Sequence, residues 1–327
     1  MERVNILTER GNYLKMIEVK NLTKKYGSFV AVNEVSFDIA KGEIVGFLGP
    51  NGAGKTTTMR ALTGYFPPTS GTCKIAGFDI EENPIEAKKC IGYLPENNPL
   101  YHEMKVIEYL EFIGGLREIV KTKDRIKEVA EICGIAKVIS QTIGELSRGF
   151  RQRVGLAQSI LHDPEILIMD EPTEGLDPNQ VIAVRELIKN LARGNHLKEK
   201  TVMISTHILS EVEATCNRVL IINKGKIIAD GSREELQTMS KGKEVVELEL
   251  KEFNKSIISI LKEQPFIENV ELQDKKYELE AKDNIPSEKK DIREDLFKLA
   301  TQKGWTILDL HKRIASLEDV FRELTRE

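Results

Sequence analysis

A glycine-rich loop near the start of the chain has the sequence Gly49-Pro50-Asn51-Gly52-Ala53-Gly54-Lys55-Thr56. It fits the P-loop pattern G-x-x-x-x-G-K-[S/T], in which backbone N–H groups close on phosphate oxygens. Lys55 can reach the β- and γ-phosphates of a nucleotide, and the Thr56 hydroxyl can bind Mg²⁺. We therefore predict that this loop and the adjoining Thr57 bind a nucleoside triphosphate.

The loop lies between an apolar run at residues 43–48 and a segment of helical composition at 56–62. The order of strand, glycine loop and helix begins a parallel α/β fold and disfavours a simple glycine turn. Alternating residues predict half-buried strands at 17–20 and 35–40. Further apolar runs predict buried strands at 166–169, 201–205 and 219–223. A helical pattern at 181–191 lies between the first two of these strands. Ligands bind at the carboxyl ends of such strands.

Ionisable residues follow two of these apolar runs. Asp170 and Glu171 end the first, and His207 closely follows the second. Asp170 could hold Mg²⁺ through water, Glu171 could orient and polarise an attacking water, and His207 could sense the γ-phosphate. Taken alone, an Asp-Glu pair in a loop is more often solvated, and a lone histidine is as often structural. The P-loop upstream favours the catalytic interpretation.

The composition limits the kind of protein that this chain can be. Its 327 residues favour two domains, and its net charge of −4 argues against coating nucleic acid by bulk charge. No run of 18 apolar residues occurs, which argues against a membrane-spanning segment. The four cysteines are scattered, and residues 1–15 lack a signal-peptide pattern. We expect an N-terminal extension at 1–15 on a protein that faces the cytosol.

A change in sequence pattern divides the chain into two predicted domains. The first, residues 16–240, contains the α/β pattern and a mainly helical insert at about 101–155. The second, residues 243–327, is dense in charge and follows the order βαββαβ with a terminal helix. That order is typical of a small ferredoxin-like α+β domain. This domain shows no catalytic constellation, and we expect a role in regulation or dimer contact.

Residues 146–153 have the sequence Leu146-Ser147-Arg148-Gly149-Phe150-Arg151-Gln152-Arg153. This resembles the signature of the ATP-binding subunits of ABC transporters, LSGGQ-x-x-R in its usual form. The resemblance implies that Ser147 and Gly149 contact phosphate. It also implies a P-loop ATPase fold with an antiparallel β subdomain and a helical insert. Arg148 and Phe150 depart from the usual glycine and glutamine. A serine N-cap by itself also exposes N–H groups to an anion.

Further positions match motifs of this family. Tyr26 resembles the aromatic residue that stacks on adenine, with an ordinary strand-edge tyrosine as the alternative. Gly175-Leu176-Asp177 resembles the D-loop, which implies that Asp177 helps to bind nucleotide, and Thr206-His207 resembles the H-loop. Glu96 stands where the family commonly has a glutamine. It can still bind Mg²⁺ or water through oxygen, but it adds negative charge. The resemblance covers about residues 16–237.

The resemblance also implies cofactors and partners. The cofactors are ATP and Mg²⁺. Two such subunits pair head to tail, so that each ATP lies between the P-loop of one and the signature of the other. We expect a homodimer held by an integral membrane permease at the cytoplasmic face of the inner membrane, with no nucleic-acid partner.

Residues 92–106 and 315–324 resemble a narrower group, the ATPases of type-2 ABC exporters of the gliding-motility and drug-export kind. This adds export as the expected direction for an ATP-hydrolysing subunit. The alternatives are an importer ATPase, a soluble ABC ATPase acting on ribosome or DNA, and a nucleotide-binding regulator. Members that act as translation factors usually carry two cassettes, whereas this chain shows one set of motifs. Members that act in DNA repair usually carry long insertions, and none is visible in this sequence. The intact Asp170-Glu171 pair and His207 argue against a regulator without catalysis.

Overall fold

The computed structural model describes residues 13–195, 198–239, 245–252, 254–273, 276–282, 291–313 and 317–325. Residue contacts divide the chain into two units, Met1–Arg233 and Glu234–Glu327. The change of sequence pattern at 240–243 therefore lies a few residues beyond this division. Most of the N-terminal extension, residues 1–12, lies outside the described residues.

Strands and helices alternate along much of the chain. The strands are β1 Lys15–Tyr26, β2 Phe29–Ala40, β3 Ile44–Leu48, β4 Ser70–Ile75, β5 Phe78–Asp79, β6 Ile91–Leu94, β7 Ile166–Asp170, β8 Thr201–Thr206, β9 Arg218–Asn223, β10 Lys226–Gly231, β11 Val245–Leu250, β12 Ile267–Gln273, β13 Lys276–Ala281 and β14 Ile307–Arg313. The helices are α1 Lys55–Leu62, α2 Pro84–Lys89, α3 Val106–Leu116, α4 Thr122–Ile132, α5 Arg148–Ile160, α6 Pro178–Arg193, α7 Leu209–Thr215, α8 Arg233–Met239, α9 Lys255–Lys262, α10 Arg293–Lys303 and α11 Leu317–Thr325. As far as the chain is described, none of these helices has both the length and the apolar character needed to cross a membrane.

A six-stranded sheet in the order β10-β9-β3-β8-β7-β6 forms the centre of the first unit. Its neighbouring strands are parallel except for β9 and β10. Every residue of β3, β7 and β8 is buried. This confirms the prediction that these strands are buried on both faces. The sequence pattern does not indicate β6, because four residues that include a glycine are too few to show a period.

The central sheet separates two hydrophobic cores. On one face, Leu167 and Met169 of β7 pack with α3, α4, α5 and α6. On the other face, Ile166 and Ile168 pack with α1 and with an antiparallel sheet in the order β2-β1-β4-β5. The alternation follows from the period of two along a strand. Both the antiparallel β subdomain and the helical insert are therefore present.

The second unit contains an antiparallel sheet in the order β12-β13-β11-β14. Leu248 and Leu279 of its two central strands pack with Leu261 of α9 and Leu296 of α10. The chain order of strands and helices, with one apolar face covered by α9 and α10, is that of the predicted ferredoxin-like domain.

Two glycines on the helical side of the central sheet test this packing. A Cβ added at Gly92 in β6 would lie 2.2 Å from the Ser159 carbonyl oxygen of α5. We expect Gly92→Ala to lower the free energy of unfolding by about 1–3 kcal/mol, since the backbone has to move. A Cβ at Gly115 in α3 would meet no described atom within 4 Å. The control Gly115→Ala should raise the free energy of unfolding by about 0.5–1 kcal/mol.

Equilibrium urea unfolding followed by circular dichroism measures both variants. Equal effects of the two substitutions would contradict the close packing of β6 against α5.

Candidate active site

The register of the central sheet brings three predicted site segments to one edge. Leu48, the last residue of β3, is paired with Thr206 at the end of β8. Asp170, the last residue of β7, is paired with Ser205. Because these strands are parallel, the glycine-rich loop lies beside the acidic and histidine residues that follow the other two strands.

Glycine is required in the loop because neighbouring backbone approaches closely. A Cβ on Gly49 would lie 2.4 Å from the Ile222 carbonyl oxygen, and one on Gly54 would lie 2.6 Å from the Ala31 carbonyl oxygen. Gly54 also has a φ of 107°, which other residues rarely adopt. The chain then enters α1 directly at Lys55, the arrangement in which a helix N-terminus meets a phosphate.

Lys55 is buried, with only 6% of its side chain exposed. Its Nζ donates hydrogen bonds to the carbonyl oxygens of Gly49 at 2.8 Å and Pro50 at 3.3 Å. It also lies 3.4 Å from Glu171 Oε1. Because a buried charge needs partners, the loop and the acid after β7 together hold this ammonium group at the strand ends.

Glu171 has a left-handed backbone with a φ of 48°. This conformation costs a non-glycine residue about 1–2 kcal/mol and is concentrated at functional sites. The Glu171 N–H is within hydrogen-bonding distance of the Ser205 carbonyl oxygen at 3.2 Å and the Ser205 hydroxyl at 3.1 Å. Its Oε2 lies 3.0 Å from His207 Nδ1. The two oxygens of one carboxylate therefore contact Lys55 and His207.

Asp170 is fully buried, and the Ser205 hydroxyl donates a hydrogen bond to its Oδ1. Its Oδ2 is buried without a hydrogen-bond partner among the described residues. Such an oxygen fits a divalent cation or a water bound to one. In the described parts of the chain, no three acidic, histidine or cysteine side chains are grouped to hold a metal by themselves.

Glu96 lies in the loop after β6, and Thr56 lies in the first turn of α1. Desolvation raises the pKa of Glu96, and the negative charges of Asp170, Glu174 and Glu171 raise it further. The Arg60 guanidinium lowers this pKa. Glu96 therefore lies within electrostatic range of the three acids and of one cationic side chain.

A second group of predicted residues lies around the start of α5. Ser147 is the N-cap, and its hydroxyl accepts a hydrogen bond from the Phe150 N–H at 3.4 Å. A Cβ on Gly149 would lie 2.5 Å from the Gln180 side chain, so this glycine packs against the start of α6, whose N-cap is Asp177. Within the described ranges, no hydrogen bond or ion pair joins this group to the glycine-rich loop.

The two residues that depart from the usual signature contact neighbouring segments. The Arg148 guanidinium packs so closely against Gly175 that an added Cβ would lie 2.3 Å from Arg148 Cζ. The Lys137 ammonium lies 5.2 Å from the centre of the Phe150 ring. Through these two contacts, the start of α5 packs against the segments that contain Gly175 and Lys137.

Tyr26, at the end of β1, is 49% exposed. Its ring meets Phe66 edge to face, with 6.1 Å between the ring centroids. Lys24 Nζ lies 4.3 Å from the Phe66 centroid. Lys24 Nζ also lies over the Tyr26 ring, 5.6 Å from its centroid. The half-exposed ring can still stack on a nucleobase.

Two residues close to the site were not predicted from the sequence. Ser205 contacts Asp170 and Glu171, and Glu211 accepts a hydrogen bond from Thr206. The signal for Ser205 is only a polar residue at the end of an apolar run. Glu211 follows the H-loop by one helical turn, where a glutamate is ordinarily an exposed helix residue.

Residues 32–174 match the family described as ABC transporter. The bacitracin transport ATP-binding protein BcrA of Bacillus licheniformis is 36% identical over 311 residues, which cover 94% of this chain and 97% of BcrA. The probable multidrug ABC transporter ATP-binding protein YbhF of Escherichia coli is 38% identical over 229 residues. That alignment covers 69% of this chain and 38% of the length of YbhF.

The fold is also similar to that of a bacterial ABC transporter cassette solved as a dimer. The TM-score is 0.61, with 66% of this chain and 98% of that chain covered. At 23% identity this similarity concerns the fold alone. The match to BcrA spans nearly the whole of both proteins, and it agrees with the P-loop and the acids at the strand ends. The chain therefore belongs to the family of ABC transporter ATP-binding proteins and is an ABC-type ATPase.

Proposed function

We propose that the chain is the ATP-hydrolysing subunit of an ABC exporter and drives a separate membrane permease. The catalytic part rests on one observation, the contact of Lys55 and His207 with the two carboxylate oxygens of Glu171 at 3.4 and 3.0 Å. This group lies beside the P-loop, where the terminal phosphate of ATP would bind. The names of BcrA and YbhF, which refer to bacitracin transport and a multidrug transporter, support a transport role.

The P-loop and α1 would hold the triphosphate. Backbone N–H groups in the second half of the loop, residues 54–57, and the positive end of α1 offer donors to phosphate oxygens. The Lys55 ammonium, already fixed at the strand ends, would bind the β- and γ-phosphates. Tyr26 would stack on adenine with a ring that Phe66 orients.

Thr56 and Asp170 would hold Mg²⁺, with Glu96 as a further ligand. When bound, the ion neutralises charge on the phosphates. Asp170 has the buried Oδ2 that fits this role, and the Ser205 hydroxyl fixes its Oδ1, so the carboxylate keeps one orientation.

Glu171 would act on the attacking water. Its carboxylate orients the water and takes its proton as the oxygen attacks the γ-phosphorus, while the bond from that phosphorus to the β–γ bridging oxygen breaks and ADP leaves. The Glu171 N–H donates to the hydroxyl and carbonyl oxygens of Ser205, which fixes the backbone from which the carboxylate extends. His207 Nδ1 donates to the Glu171 carboxylate, so Nε2 would donate to a γ-phosphate oxygen in the imidazolium form, in which both ring nitrogens carry a hydrogen.

Two chains would complete each site. Ser147 and Asp177 are exposed N-caps at the starts of α5 and α6, with Gly149 packed between them against Gln180, so a second chain could reach them. We infer a head-to-tail homodimer, in which the start of α5 in one chain meets ATP on the P-loop of the other. A cassette of similar fold was solved as a dimer, which is consistent with pairing of two chains. Hydrolysis removes the γ-phosphate between the chains and lets them separate.

Replacement of the Glu171 carboxylate tests the catalytic role. We expect Glu171→Gln to bind ATP but to hydrolyse it at least about a hundredfold more slowly, because the water loses its proton acceptor. Calorimetry measures the binding, and steady-state phosphate release measures the turnover. The control Glu186→Gln changes an exposed carboxylate on α6 and should keep wild-type turnover. Near-normal hydrolysis by the purified Glu171→Gln protein would reject the assignment.

The proposed permease and location have a separate test. The tagged full-length chain is purified from membranes dissolved in detergent, and the proteins that accompany it are identified by mass spectrometry. We expect a multi-helix membrane protein in comparable amount, which would place the chain at the cytoplasmic face of the membrane. A periplasmic binding protein encoded beside the permease would indicate import, and recovery of ribosomes or DNA alone would contradict the transport role.

A further inference from the structure

Glu211 is a buried acid that the mechanism above does not use. It lies on α7 and is 7% exposed. Its Oε2 accepts a hydrogen bond from the Thr206 hydroxyl at 2.8 Å, and its Oε1 accepts one from the Thr173 hydroxyl. Arg185 Nη2 of α6 lies 3.9 Å from Oε1. Because a buried carboxylate is costly without such partners, these contacts together keep the group in place.

The partners of Glu211 belong to the segments that carry the catalytic residues. Thr206 immediately precedes His207, and Thr173 is two residues after Glu171. A single carboxylate is therefore bonded to both segments. Its two hydrogen bonds limit how far apart the segment after β7 and the end of β8 can lie.

Packing alone does not fix this side of the site. A small cavity is lined by Glu211, the two threonines, Arg185 and Thr215, among others. Arg185 Nε and the Thr215 hydroxyl are buried with no hydrogen-bond partner in the described parts of the chain. Atoms beside a cavity lack contacts on one side. Thr206 is also held by its pairing in β8, and its hydroxyl accepts a hydrogen bond from the Ile208 N–H at 3.0 Å. The hydrogen bonds to Glu211 therefore act within the spacing set by the strands and orient the two threonine side chains.

We propose that Glu211 is a positioning residue for ATP hydrolysis, which holds the Glu171 and His207 segments at the separation that catalysis needs. The inference rests on the proposed function, because that function gives Glu171 and His207 their catalytic roles. Glu211 acts through the two threonines and touches neither nucleotide nor the attacking water. Loss of its hydrogen bonds therefore slows the chemical step and leaves ATP binding, which depends on the P-loop, unchanged.

Two substitutions at Thr173 separate positioning from packing. Thr173→Val keeps the shape and loses the hydroxyl, whereas Thr173→Ser keeps the hydroxyl and loses a methyl group. We expect kcat for ATP hydrolysis to fall about ten- to a hundredfold in the valine variant, as it does when a catalytic group is misplaced. In the serine variant kcat should stay within about twofold of wild type, because the hydrogen bond is kept. Calorimetry should show an ATP dissociation constant within about twofold of wild type in both.

Changes at Glu211 itself give an independent measurement. Glu211→Gln removes the charge and replaces one acceptor oxygen with a donor, and it should lower kcat to a similar extent. The double variant with Thr173→Val should be no slower than the slower single variant, because both changes act on the same contact between residues 173 and 211. Ile188→Val is the control, since it removes a methyl group from the lining of the same cavity without touching a hydrogen bond. It should keep wild-type kcat.

Wild-type kcat in both Thr173→Val and Glu211→Gln would overturn the inference, as would an equal loss in Thr173→Val and Thr173→Ser. If Glu211→Gln does not fold, the two Thr173 variants decide the matter. Glu171→Gln is measured alongside them. Normal hydrolysis by that variant would reject the proposed function itself. An inactive Glu171→Gln together with a fully active Thr173→Val would reject only the role of Glu211.

Discussion

The parallel register of β3, β8 and β7 is the constraint on which the site depends. It pairs Leu48 with Thr206 and Asp170 with Ser205, so the three site segments begin next to one another. These strands are buried on both faces, and a shift of one residue would exchange side chains between two different cores. Hydrophobic packing therefore fixes the spacing of the site segments, and the hydrogen bonds of the site act within that spacing.

The strand register sets the spacing of the site segments, and buried polar groups behind the site then fix the orientation of individual site residues. Ser205 contacts Asp170 and the N–H of Glu171, and so supports both a proposed Mg²⁺ ligand and a strained backbone. The proposed role of Glu211 is similar but lies one step further from the nucleotide. Few residues perform the chemistry in this scheme. Their placement depends on groups that never meet the substrate, which is how a rigid second layer supports a catalytic site.

Much of the fold and of the site could be predicted because the signals are local in sequence. The P-loop pattern is continuous, and Asp170, Glu171 and His207 follow apolar runs whose ends are visible. Ser205 and Glu211 could not be predicted, since a serine in a strand and a glutamate on a helix have ordinary structural uses. Only the pairing of β7 with β8 and the packing of α7 show what they contact. The order of the strands and the presence of β6 depend on the same long-range pairing.

A shared site requires that one chain supply the P-loop and Glu171 while another supplies the signature. Mixing two defective chains tests this most directly. One carries Lys55→Ala, and the other carries Ser147→Asp, which keeps an N-cap but places negative charge where phosphate would bind. In a mixed dimer, one of the two sites has both an intact P-loop and an intact signature. We predict that each variant alone releases little phosphate from ATP and that the mixture regains activity. A mixture as inactive as the separate variants would contradict the shared site.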